Sequence, residues 1–132
     1  MNMKKGVELL LDLPGQEVTI YTDPTRLSQV INNLVNNAIK FTSEGNIRIG
    51  YRPASSDRVK IFVEDTGTGM AKEVIEHIFD RFYKGDAFKQ GTGLGLAICR
   101  TIVERFKGKI EVASTPGKGT RFTITLPLKV EE

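Results

Sequence analysis

Apolar and polar residues change period several times along this chain, and each change marks an element. Val7 to Leu13 alternates and Val18 to Thr22 is β-branched, so two short strands are predicted around the turn Pro14-Gly15. At Asp23-Pro24 the period lengthens. Asp is a natural N-cap and Pro a natural first helical residue, and Leu27, Val30, Ile31, Leu34, Val35 and Ala38 follow at three- and four-residue spacing. A helix to about Phe41 is predicted, broken by Gly45. Asn46 to Tyr51 and Val59 to Glu64 then read as a strand pair joined by the polar turn at 53–57. Asp65-Thr66-Gly67-Thr68-Gly69-Met70 is too rich in glycine for helix or strand. Ala71 to Phe82 predicts a short helix and an irregular turn, and Tyr83 to Gly91, with little apolar content, a mobile loop. Gly91-Thr92-Gly93-Leu94-Gly95 leads into a second long helix to about Phe106. Lys109 to Ser114 and Thr120 to Leu126 close the chain as a hairpin around 115–119.

Strands that come in pairs separated by helices define an α+β two-layer sandwich. Its sheet is expected to be mixed, mostly antiparallel and five-stranded, with a short N-terminal strand pairing and about three helices on one face. Composition agrees with a single domain over residues 1–132: 39% of the 132 residues are hydrophobic and 27% charged, enough for one core. The lone cysteine, Cys99, permits no internal disulfide and suggests a reducing, cytoplasmic setting. It falls on the apolar side of its helix with Ile98, Ile102 and Phe106, and so reads as packing. No run approaches the ~18 apolar residues of a membrane span, so no membrane contact by this domain is expected. Nineteen Lys+Arg against sixteen Asp+Glu leave a net charge of +3 without a basic cluster, which permits a polyanionic ligand and gives no case for nucleic acid.

Thirteen glycines and one histidine stand out. On the first long helix, with each residue about 100° further round the axis, Asn33, Asn37 and Lys40 fall at about 240°, 280° and 220° from Leu27, on one flank of the apolar stripe. Asn36 points away from the core and Asn32 lies on the other flank. Amide oxygens suit Mg²⁺ and a lysine suits phosphate, although three polar residues on a helix flank more often describe a solvated face. Asp65 before Gly67 and Gly69 places a carboxylate at a strand end beside backbone that can approach a flat ligand, or begins an ordinary Asp turn. Gly91, Gly93 and Gly95 expose amides at a helix start, a phosphate environment or a flexible loop. The spacing is neither that of a dinucleotide fold nor that of a P-loop.

In their order, these pieces resemble one family. Asn33-Leu34-Val35-Asn36-Asn37-Ala38-Ile39-Lys40-Phe41-Thr42, Asp65-Thr66-Gly67-Thr68-Gly69-Met70, Phe79-Asp80-Arg81-Phe82-Tyr83, Gly91-Thr92-Gly93-Leu94-Gly95-Leu96 and Gly117-Lys118-Gly119-Thr120 resemble the N, G1, F, G2 and final glycine boxes of sensor histidine kinase catalytic domains. That domain shares its ATP-binding superfamily with DNA gyrase, a heat-shock chaperone and mismatch-repair ATPases. The resemblance implies that ATP and Mg²⁺ are the ligands. It casts Asn37 as the metal ligand with Asn33 beside it, and Lys40 as a phosphate contact; these three form the catalytic set. Phe41 would lie by the adenine, Asp65 would accept from its amino group, and Gly67 and Gly69 would let backbone pass the base. Thr120 would support that contact through water. Gly91, Thr92, Gly93, Leu94, Gly95 and Leu96 would receive the triphosphate, under a lid at about 83–90 carrying Lys84, Lys89 and Gln90. Met70 and Phe82 complete the nucleotide-binding set, and Phe79 and Phe82 are expected to pack.

Two absences shape the expected mechanism. His77, in Glu76-His77-Ile78-Phe79, lacks the acidic and Pro-Leu context of a phosphoacceptor histidine and has no partner for a metal site. The chain therefore reads as the ATP-holding domain of a longer kinase, whose partners would be a separate dimerisation and phosphoacceptor hairpin and, downstream, a response regulator. Superfamily members that hydrolyse ATP carry Glu where this chain has Asn33. A neutral amide cannot accept a proton from water, so binding with little turnover is expected. The alternatives are a stand-alone serine kinase of the anti-sigma type and a non-catalytic module switched by nucleotide.

Overall fold

The computed structural model describes residues 6–81 and 95–129. Asp23 and Pro24 start the first helix, α1 (Pro24–Phe41), as their chemistry predicts: the Asp23 carboxylate accepts from the backbone N–H of Thr25 at 2.9 Å and of Arg26 at 3.2 Å. Its apolar stripe buries Val30, Leu34, Val35 and Ala38. Strand β1 (Val7–Asp12) precedes α1, and β2 (Gly45–Ser55) and β3 (Arg58–Asp65) follow it. Then come a short helix α2 (Lys72–His77), the longer α3 (Gly95–Arg105), and the hairpin β4 (Lys109–Thr115) and β5 (Gly119–Pro127).

The five strands lie in the order β1-β2-β3-β5-β4, antiparallel throughout except for the β1–β2 pair. Two expectations are corrected here. Residues 18–22 do not turn back on β1: β1 pairs in parallel with β2, Leu9 beside Ile47, and α1 is the crossover. Among the described residues, the strand pairing of the 18–22 stretch is a single bridge from Tyr21 to Lys129. Alternation identifies a strand but does not name its neighbour. The polar turn after β2 is also shorter than expected, because both strands run on to Ser55 and from Arg58, with Pro53 accommodated at a register shift.

One face of the sheet carries the core as cross-strand rows. Val59 stands opposite Leu126; Ile61, Ile124 and Ile110 form the next row; Val63, Phe122 and Val112 the one after. Against these rows pack the α1 stripe and Cys99, Ile102, Val103 and Phe106 from α3 and its end. Cys99 is fully buried, its Sγ 3.7 Å from the Val30 carbonyl, and burial pushes its thiol up to about 11. It packs, as expected; Ile98 does not accompany it and is exposed at 37%. One residue nearer the helix start, Ile98 is rotated out of the stripe. On the opposite face, which carries none of the described helices, Phe62 is covered by the guanidinium groups of Arg121 and Arg52, 4.4 and 5.9 Å from its ring. These are held in turn by Glu64 and Asp12. No described helix is long and apolar enough to cross a membrane.

Candidate functional site

The apolar rows end in a polar one. One step beyond Val63, Phe122 and Val112, the same face carries Asp65 opposite Thr120, and Thr120 opposite Ser114. Asp65 is only 6% exposed. Its Oδ1 accepts from the Gly67 N–H at 2.9 Å. Burial raises its pKa above the ordinary 3.8, against the lowering effect of the Gly67 and Thr120 backbone N–H groups. A carboxylate held in so little water, with acceptor capacity to spare, is matched to a ligand that brings N–H donors.

The turn after Asp65 is clamped between α1 and the β4–β5 hairpin. Thr68 N–H donates to the Phe41 carbonyl at 3.2 Å, and the Thr68 carbonyl accepts from Gly117 at 2.7 Å. A Cβ on Gly67 would collide with the Phe41 carbonyl, and one on Gly69, whose φ is +69°, with the Thr115 carbonyl. The close approach expected here between glycine backbone and a ligand is thus first an approach to the protein's own backbone. Met70 follows with its side chain buried in the core, so it anchors the turn. Its N–H donates to Ser114 Oγ at 2.8 Å.

Across the turn, α1 presents the flank read from its sequence. Asn33, Asn37 and Lys40 are half-buried at the margin of the stripe, whereas Asn32 and Asn36 are exposed. Lys40 Nζ lies 5.5 Å from the Phe41 ring. Asn33 Nδ2 donates to the Gly95 carbonyl at 3.5 Å, so this flank adjoins the first turn of α3. Gly95 is exposed and Leu96 buried there, and amide N–H groups at such a start attract anions. Among the described residues no three His, Cys, Asp or Glu side chains gather to hold a metal. A divalent cation here would rest on amide oxygens and on oxygens that the ligand brings.

Asn33 therefore adjoins the α3 start, Asn37 and Lys40 follow on the same flank of α1, and the Phe41 carbonyl at the end of that helix meets the turn that joins Asp65 to Gly67, Gly69 and Met70, with Thr120 opposite Asp65. Phe82, Lys84, Lys89, Gln90, Gly91, Thr92, Gly93 and Leu94 lie outside the described residues. The expected set lacks Ser114. Its signal was available: pairing the closing hairpin about its loop puts Ser114 opposite Thr120. His77 is exposed and bonds Asp80 through Nδ1 at 2.9 Å. Phe79 packs edge-on against Phe122 at 6.2 Å between ring centres, as expected of a packing residue.

A sheet with helices on one face, a buried Asp at a strand end and an Asn/Lys helix flank define a class of ATP-binding domain, and residues 22–130 match the family described as histidine kinase-, DNA gyrase B-, and HSP90-like ATPases. The chain belongs to this family. Within it, the likeness is to histidine kinases. The sensor protein SrrB of Staphylococcus aureus is 47% identical over 127 residues, which cover 92% of this chain and 21% of that protein. The catalytic domain of the histidine kinase ThkA is 31% identical with a TM-score of 0.81, over 94% of this chain and 82% of that one. Full-length ShkA, solved in complex with AMPPNP, is 33% identical with a TM-score of 0.85, over 93% of this chain and 26% of that one. The chain thus spans about a fifth of the curated sensor proteins it matches.

Proposed function

We propose that this domain binds Mg-ATP and presents its γ-phosphate to a histidine carried on a separate helical hairpin, as the catalytic part of a two-component sensor kinase. One observation carries the reading most directly: the polar row that ends the core buries Asp65 beside the turn bonded to the Phe41 carbonyl, while Asn33, Asn37 and Lys40 share the flank of α1 from which Asn33 reaches the Gly95 carbonyl at the start of α3. The AMPPNP bound by the related ShkA supports it.

In this reading Asp65 and Thr120 hold the base, and Phe41 lies beside it. The α3 start, with Gly95 and Leu96, neutralises phosphate, and Lys40 adds a positive charge. Mg²⁺ fits the donor set through the Asn37 and Asn33 amide oxygens; when bound, it supplies charge neutralisation at the phosphates. Phosphoryl transfer needs chiefly positioning and charge balance, which these groups provide. Asn33 does not supply a base for water. The domain alone is therefore expected to release phosphate from ATP at close to the background rate. Phe82, Lys84, Gln90 and Gly91 to Leu94 complete the nucleotide set as lid and loop contacts. Its partners in this reading are the phosphoacceptor histidine hairpin and, downstream, a response regulator, and the domain works in the cytoplasm.

The test is to mix the domain, Mg-ATP and a separately made histidine-bearing hairpin from a related sensor kinase. Acid-labile, alkali-stable phosphate on the hairpin is the expected product. Phosphate on serine, or tight ATP binding without transfer, would give the role to a serine kinase or to a nucleotide-switched module.

A further inference from the structure

Ser114 Oγ makes three contacts of 2.8 Å: to the Met70 backbone N, to the Gly119 carbonyl and to Thr120 Oγ1. The chemistry of the partners orders the protons. A carbonyl only accepts, so the single Ser114 proton goes to Gly119. An amide N–H only donates, so Met70 takes one Ser114 lone pair. The third contact then has one solution, in which the Thr120 hydroxyl donates its proton to Ser114. Thr120 Oγ1 is left with lone pairs alone. Directly across the strand pair stands the Asp65 carboxylate, which also accepts.

We propose that Ser114 is a positioning residue for the base subsite: by fixing the Thr120 hydroxyl as an acceptor, it makes the subsite take a purine with an exocyclic amine and disfavour one with a carbonyl at that position. This rests on the reading of Asp65 and Thr120 as base contacts. Two facing acceptors, met directly or through one water, complement an amine with two N–H bonds. They oppose a carbonyl oxygen, which would leave lone pairs facing lone pairs. Without Ser114 the Thr120 hydroxyl is free to rotate and donate, and the preference falls. Ser114 also joins the turn carrying Met70 to the hairpin carrying Thr120, so the fold alone could require it; the test separates the two roles.

ATP and ITP are titrated calorimetrically in the presence of Mg²⁺ into the wild-type domain and the variants Ser114→Ala, Ser114→Thr, Thr120→Val and Asp65→Asn, each checked by thermal melting. Ser114→Ala is expected to lower ATP affinity about five- to tenfold while leaving ITP nearly unchanged, the scale of one lost hydrogen bond. Ser114→Thr, which keeps the hydroxyl, should restore the ratio. Thr120→Val should lower it similarly, and adding Ser114→Ala to it should change it no further. Equal losses for both nucleotides, or a ratio that Ser114→Thr does not restore, would overturn the proposal. Should the alanine variant not fold, Ser114→Cys keeps the size with a poor hydrogen-bonding group and must show the same fall. The two readings fail differently. If Asp65→Asn abolishes the preference while Ser114→Ala retains it, only the role of Ser114 is wrong. If wild type shows no preference and Asp65→Asn changes nothing, the base-binding reading falls and takes the proposal with it.

Discussion

Asp65 shows how one residue divides stability from function. Burial raises its pKa, so the folded state binds its proton more tightly than the unfolded chain does. The sign follows directly: the native state is relatively favoured while Asp65 is protonated and loses that advantage as pH rises from 3.8 through the raised value. Asp65→Asn removes the buried charge but keeps an oxygen for the Gly67 N–H. The variant is expected to melt at or above wild type at neutral pH, with the difference shrinking as the solution is acidified. Its ATP affinity should fall about ten- to a hundredfold, the cost of a lost hydrogen bond to a charged group; paired melting and calorimetry check both halves. Asn37→Asp is expected to act on the other end. An added carboxylate beside phosphates should weaken ATP binding at low Mg²⁺ roughly fivefold, the counterpart of about 1 kcal/mol, with the melting temperature little changed. Asn33, Asn37 and Lys40 were legible as a group because helical geometry alone puts them on one flank. Ser114 is less legible, because a serine at a strand end points to nothing until the hairpin is paired about its loop and sets it opposite Thr120.

At the scale of elements, the turn after β3 behaves as a clamp, and its glycines are required by packing. Gly69→Ala must put a side chain at φ +69° and against the Thr115 carbonyl. We expect it to cost about 2 kcal/mol or more in chemical denaturation and to weaken ATP binding as well, because Asp65 and Met70 bound the same turn. If stability fell with ATP affinity intact, the turn would be a fold feature alone. The long helices, β3 and the closing hairpin could be read within a few residues from period, cap and turn residues. The failures were of pairing. Val18 to Thr22 has strand-like residues, yet α1 carries the chain across to β2, and the edge of β2 is taken by β1 in parallel.

Over the whole molecule, one core serves both jobs. The rows built on Val59, Ile61 and Val63 are apolar, and the next, on Asp65, is the candidate site. Ile124, fully buried at the middle of these rows, should lose about 2–5 kcal/mol of stability on truncation to Ala, as large core deletions do. ATP affinity of the folded fraction should stay near wild type, because Ile124 lies two rows from Asp65. Urea unfolding and calorimetry below the midpoint measure the two effects. A parallel collapse of affinity in a folded variant would mean that the core shapes the base subsite itself.

The sequence by itself determined the periods, the caps, the α+β class and the order of the five boxes, since each depends on residues close together in the chain. It also put Asn33, Asn37 and Lys40 on one flank, because 3.6 residues per turn leave no other arrangement. Tertiary structure decided what depends on distant segments meeting. It paired β1 with β2 and raised the Asp65 pKa by burial. It also pressed Gly67 and Gly69 against protein backbone, and brought Met70, Ser114, Gly119 and Thr120 within one hydroxyl's reach. Burial and hydrogen-bond partnership are properties of contacts, and a contact between residues 70 and 114 exists only once the sheet has closed.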